Sequence, residues 1–154
     1  MPRQKPPVIE DYLPKPEDVF DLDDDKRLHE ANLRFNSHLK IADEYDHYPH
    51  CKWALIEFKS RNIRDSIEQL DWTAKQLVEM RRDVDYVIII AEAINNPEKN
   101  LYRKQDNLLI YKPTRKPVAI STSNGLVNVQ IFDPYEIDKQ YTNYRGTLRP
   151  WQSK

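Results

Sequence analysis

Glycine and cysteine are nearly missing from this chain: two of the first and one of the second in 154 residues. With glycine only at Gly125 and Gly146, a glycine-rich phosphate loop cannot be built, which excludes P-loop ATPases and dinucleotide-binding folds. The lone Cys51 cannot form an internal disulfide and fits a reducing, cytoplasmic setting. Long apolar runs are absent as well. The longest, Val87-Ile88-Ile89-Ile90-Ala91, has the length of a buried strand, whereas a membrane span needs roughly 18 apolar residues. The first residues, Met1-Pro2-Arg3-Gln4-Lys5-Pro6-Pro7, lack the apolar stretch of a secretory signal.

What is present is charge: 32% of residues are charged against 39% hydrophobic, enough for one core under a polar surface. The net charge of -1 conceals a gradient. Residues 1–30 hold five Lys and Arg against nine Asp and Glu, residues 31–96 nine against eleven, and residues 97–154 ten against five. The last third is therefore basic and suits a nucleic-acid contact.

Pro2, Pro6, Pro7, Pro14 and Pro16 forbid a regular helix or central strand near the N-terminus, so residues 1–20 read as an extended, acidic, Pro-rich arm. Residues 21–154 read as one domain. Asp23-Asp24-Asp25 suits a helix start, and Leu28, Ala31 and Phe35 continue at helical spacing to about Asn36. His38–Asp43 alternates as a half-buried strand, and Trp53–Lys59 reads as a second strand after a polar turn at Tyr48-Pro49-His50. Residues 62–82 form the clearest helix, with Ile63, Ile67, Leu70, Ala74, Leu77 and Val78 on one face. The run 85–91 is a buried strand, parallel to 53–59 through a right-handed crossover. Pro97 suits the start of a short helix over 97–106. Leu108–Tyr111 and Val118–Thr122 read as strands, and Asn124-Gly125 turns the second back into Leu126–Phe132. The class is α/β with a mixed central sheet flanked by helices.

The chemistry lies in Asp43 and in Glu57-Phe58-Lys59. Alternate strand residues share a face, so Glu57 and Lys59 point one way and Phe58 the other. Pairing of the two strands brings Asp43 toward Glu57. Two close carboxylates repel, and a divalent cation relieves that repulsion; oxygen ligands select Mg²⁺ or Mn²⁺ over zinc. Such an ion polarises a phosphodiester and acidifies a bound water, while Lys59 positions that water. Asp46 and then Glu44 are the next candidates for the acid taken here as Asp43.

These residues resemble the PD-(D/E)xK nuclease superfamily, which includes restriction endonucleases and archaeal Holliday-junction resolvases. The likeness covers roughly residues 24–95 and implies a restriction-endonuclease-like fold. It implies metal binding by Asp43 and Glu57 and catalysis by Lys59. Some members add a Glu from the first helix, matched by Glu30 as a further metal ligand. Others add a Gln on the crossover helix, matched by Gln69, which is followed by Thr73 one turn later. Ala42 stands where the family often has proline. The implied activity is Mg²⁺-dependent hydrolysis of DNA by a two-fold homodimer, since a duplex cutter must reach two strands. A non-catalytic nucleic-acid-binding or assembly protein with the same fold is the competing expectation.

In the basic third, Lys and Arg of Tyr102-Arg103-Lys104, the segment 111–116 and Tyr144-Arg145 would meet phosphates, with the tyrosines free to stack on unpaired bases. His47, His50 and Cys51 do not match structural zinc spacings. Trp53, Trp72 and Trp151 read as packing residues.

Overall fold

A computed structural model of the chain describes residues 14–35, 41–59, 62–91, 101–105, 108–114 and 116–133. Within them the strands β1 (Asp18–Asp21), β2 (Glu44–Tyr48), β3 (Lys52–Lys59), β4 (Tyr86–Ala91), β5 (Tyr102–Gln105), β6 (Leu108–Tyr111), β7 (Ala119–Thr122) and β8 (Gly125–Phe132) accompany two helices, α1 (Asp25–Glu30) and α2 (Ile63–Glu79). The sheet is mixed, ordered β1-β2-β3-β4-β8-β6-β5, with β7 paired to β8. The α/β class with a mixed sheet is as expected.

The middle of the sheet is made by hydrophobicity. β4 carries Val87, Ile88, Ile89 and Ile90, all sealed from solvent, as suits a strand covered on both faces. It runs parallel to β3, with Glu57 opposite Ile89, and parallel to β8. The β3–α2–β4 crossover thus follows the expected order. α2 starts on the Asn62 side chain, which accepts from the Arg64 N–H at 3.0 Å. Its inward stripe is Ile63, Ser66, Leu70, Thr73, Ala74 and Leu77. Ile67 packs partly buried against the same core as expected, Val78 is turned outward, and two hydroxyl residues, Ser66 and Thr73, join the buried stripe. The stripe packs with Leu55, Val87, Ile89, Val129 and Ile131 into one core.

Several expectations are corrected. The Pro-rich arm does not extend to residue 20: Asp18–Asp21 pairs antiparallel with β2, so the arm's last residues belong to the sheet, and residues 1–13 lie outside the described ones. α1 stops at Glu30, not near Asn36, because Asn32 adopts φ 59 and the Leu33 N–H turns back to Leu28 O at 2.8 Å. The acid-bearing strand is Glu44–Tyr48, not 38–43; Asp43 precedes it, and residues 36–40 lie outside the described ones. The expected helix 97–106 is strand β5 over residues 102–105, held by antiparallel pairing with β6, while 97–100 are not described. Tyr102 and Tyr111 face each other in that pairing and are buried, so neither can stack on a base; Tyr144 lies outside the described residues. Trp53 packs as expected, 4.5 Å from the rings of both Tyr45 and His47, but Trp72 is 39% exposed with Lys75 over its ring. Trp151 is not described.

α2 ends in the same way as α1. Arg81 takes the left-handed conformation at φ 58, while the Arg82 N–H reaches Leu77 O at 2.9 Å. Glycine adopts that conformation without the Cβ clash. Arg81→Gly is therefore expected to stabilise the chain by about 1 kcal/mol, read as a higher midpoint of urea denaturation with unchanged slope.

Candidate active site

Asp43 stands where the β2–β3 ladder ends. Glu44 pairs with Ile56, and one step further the chain bends away. Its backbone is held on both sides: the Asp43 N–H donates to Ile56 O at 3.1 Å, and the Leu22 N–H donates to Asp43 O at 3.0 Å. Its carboxylate then replaces the missing ladder carbonyl, Oδ2 accepting the Phe58 N–H at 2.7 Å. A charged acceptor on a backbone amide makes a short, strong bond. The acid is thereby fixed against β3 at the residue between Glu57 and Lys59.

Glu57 is buried, 2% exposed, on the sheet face it shares with Leu55 and Ile89. β3 stays regular through Lys59, which pairs with Ala91. The register also separates the three acids proposed for one role. Glu44 and Asp46 pair with Ile56 and Ala54, so they occupy the face opposite Glu57. Asp43, before the strand begins, meets β3 at the Phe58 amide instead.

Gln69 lies half-buried on α2. Its carbonyl accepts the Thr73 hydroxyl at 2.7 Å, and the same hydroxyl oxygen accepts the Ala42 N–H at 2.8 Å. The helix turn bearing Gln69 is thus tied to the residue before Asp43. Glu30 is exposed on α1 and makes no hydrogen bond or ion pair among the described residues, so nothing joins it to Asp43 or Glu57. A cavity of about 650 Å³ lies beside this corner, with Leu22, Leu28, Phe35 and Ile41 in its wall and the exposed Asp23 and Asp25 at its edge.

No group of three or more His, Cys, Asp and Glu side chains able to hold a metal is present among the described residues. Asp43 and Glu57 offer two carboxylates, a donor set that fits Mg²⁺, which keeps several waters and takes one or two protein carboxylates. His47 is engaged with the Trp53 ring, and His50 and Cys51 make the β2–β3 turn at φ 65 and 58. Comparison with protein-family models, curated proteins and solved structures gave no match. The functional reading therefore stands on residues and geometry.

The acids of the opposite face behave differently. Asp46 is fully enclosed, and neither of its oxygens meets a donor among the described residues. Burial first, then the nearby carboxyl of Glu44 and the charge of Asp18, raise its pKa far above the carboxylate range. Two enclosed carboxyls repel when both are charged, so Asp46 favours its neutral form.

A raised carboxyl pKa binds the proton more tightly in the folded chain than in the unfolded one. This contribution to stability is complete below the unfolded value, near 3.8, and is lost as pH rises toward the raised folded value. Asp46→Asn keeps the size and polarity of the side chain without the titration. Denaturation midpoints from about pH 5 to about 8 are expected to fall for the parent and to change less for Asp46→Asn, and equal slopes would contradict the raised pKa of Asp46.

Proposed function

We propose that the chain is a divalent-cation-dependent nuclease hydrolysing phosphodiester bonds in DNA. One observation carries the reading: the Asp43 carboxylate bonds the Phe58 amide, beside Glu57 on the strand that ends in Lys59. Asp43 and Glu57 would hold Mg²⁺ or Mn²⁺, which supplies Lewis-acid polarisation of the scissile phosphate. Asp43 contributes an oxygen whose orientation is set by β3 itself. Glu57 contributes a second carboxylate from a site with little solvent, where charge interactions are stronger. Lys59 orients the attacking water and offsets charge gained by the phosphate in the transition state. Gln69 lines the helix side of the same corner.

The exposed Arg103 and Lys116 would meet the backbone of the substrate. The tyrosines buried in β5 and β6 limit that contact to charge, so binding should depend strongly on salt and little on base identity. A two-fold homodimer would present one such corner to each strand of a duplex.

Labelled DNA incubated with Mg²⁺, Mn²⁺ or EDTA tests the reading. Cleavage is expected with either cation and none with EDTA. Glu57→Gln and Lys59→Ala should each lower the rate at least about 100-fold while leaving DNA affinity within a few-fold of the parent. Parental rates in both variants would remove the assignment. Arg103→Ala combined with Lys116→Ala should weaken binding uniformly across sequences and flatten its salt dependence by about two counterions.

A further inference from the structure

The Thr73 side chain is completely buried, and its hydroxyl is fully committed. An amide N–H can only donate, so Oγ1 accepts from Ala42, and its single proton goes to the Gln69 carbonyl four residues back. Ala42 is itself buried, 3% exposed, and lies two residues before the ladder partner Glu44. Its N–H therefore has no β3 carbonyl to meet, and a buried amide left without an acceptor is costly. Thr73 is the acceptor that the helix supplies.

We propose that Thr73 is a positioning residue for the Asp43 carboxylate, clamping the chain at Ala42 so that the acid meets Phe58 and faces Glu57. The proposal rests on the nuclease reading of that corner. The clamp works with the other restraints on Asp43. Leu22 and Ile56 hold its main chain, Phe58 holds its carboxylate, and Thr73 fixes the segment that enters the bend. Without the hydroxyl, residues 41 to 43 are tied only downstream, and the carboxylate can rotate off the Phe58 amide. The same bond makes the position of Asp43 depend on the register of α2, so Gln69 and Asp43 move as one unit.

A threonine retained for packing alone would be replaceable by valine, which matches its shape and lacks the acceptor. Ser66 provides the contrast. It is buried on the same stripe of α2, and its hydroxyl meets no partner among the described residues.

The test compares the full chain with Thr73→Val, Thr73→Ser and Ser66→Ala by two readouts: the dissociation constant for Mn²⁺ without DNA, and the Mg²⁺ concentration for half-maximal DNA cleavage. Thr73→Val is expected to raise both on the order of tenfold, with a smaller change in rate at saturating cation. Thr73→Ser restores both, and Ser66→Ala leaves both at parental values. Should Thr73→Val not fold, Thr73→Ala also removes the acceptor and reads the same quantities. A folded Thr73→Val or Thr73→Ala with parental cation affinity, in a parent that cuts DNA, overturns the role of Thr73 alone. A parent that neither binds Mn²⁺ nor cuts DNA overturns the nuclease reading and this role together.

Discussion

The hydrogen bond from the Phe58 amide to the Asp43 carboxylate, 2.7 Å long, is the constraint on which the corner depends. Past Glu44 and Ile56 the β2–β3 ladder has no further carbonyl to offer, so the strand edge would expose a donor inside a half-buried region. A side-chain carboxylate fills the vacancy with a charged acceptor, which is stronger than the amide carbonyl it replaces. Fold and chemistry are joined by this bond. On the proposed reading, the group that finishes the sheet is also the cation ligand, since a carboxylate using one oxygen for an amide retains a second.

The two faces of β2 show why an acid's surroundings matter more than its presence. Asp43 is half-exposed and held by an amide. Asp46, three residues on, is sealed against Ala54 and Val19 with another carboxyl as its polar neighbour. Desolvation favours the neutral form there, and a neutral carboxyl is a poor cation ligand. One short strand thus separates an acid held at the sheet edge by an amide from an acid enclosed beside another carboxyl.

The parts legible in the sequence were those where hydrophobicity decides the structure. Trp53–Lys59, the helix after it, the run 85–91 and the Asn124-Gly125 hairpin stand at or close to the positions read from pattern alone. Glu44–Tyr48 was missed because one of its two buried faces carries Glu44 and Asp46, so alternation of apolar residues pointed to the segment before it. β5 was missed because four residues, Tyr-Arg-Lys-Gln, have no local reason to be extended; the edge of β6 makes them a strand. Asp43, Glu57 and Lys59 were singled out from the pattern of residues and Gln69 from the family likeness. Which of the three acids meets β3 at Phe58 could not be read, since a shift of one residue in register exchanges the faces. Thr73 was noted only as the residue one turn after Gln69, and nothing in the sequence pointed to its partner, which lies 31 residues away in the chain.

The basic last third is part of the core rather than an attachment to it. β8 lies between β4 and β6, and Tyr102, Tyr111, Ile120, Val129 and Ile131 belong to the cluster under α2. Removing this third would uncover one side of β4, so truncation would report unfolding and loss of nucleic-acid contact together. The charges that bear on a polyanion are those left on the surface after the strands are placed, Arg103 and Lys116 among them, and not the count along the chain. The exposed Asp21, Asp23, Asp24 and Asp25 flank Asp43 itself, since Leu22 between them donates to its carbonyl, and they make the β1–α1 side of the corner acidic. On the proposed reading that side repels phosphates, and a DNA backbone would reach Asp43 from the side of β3 and α2.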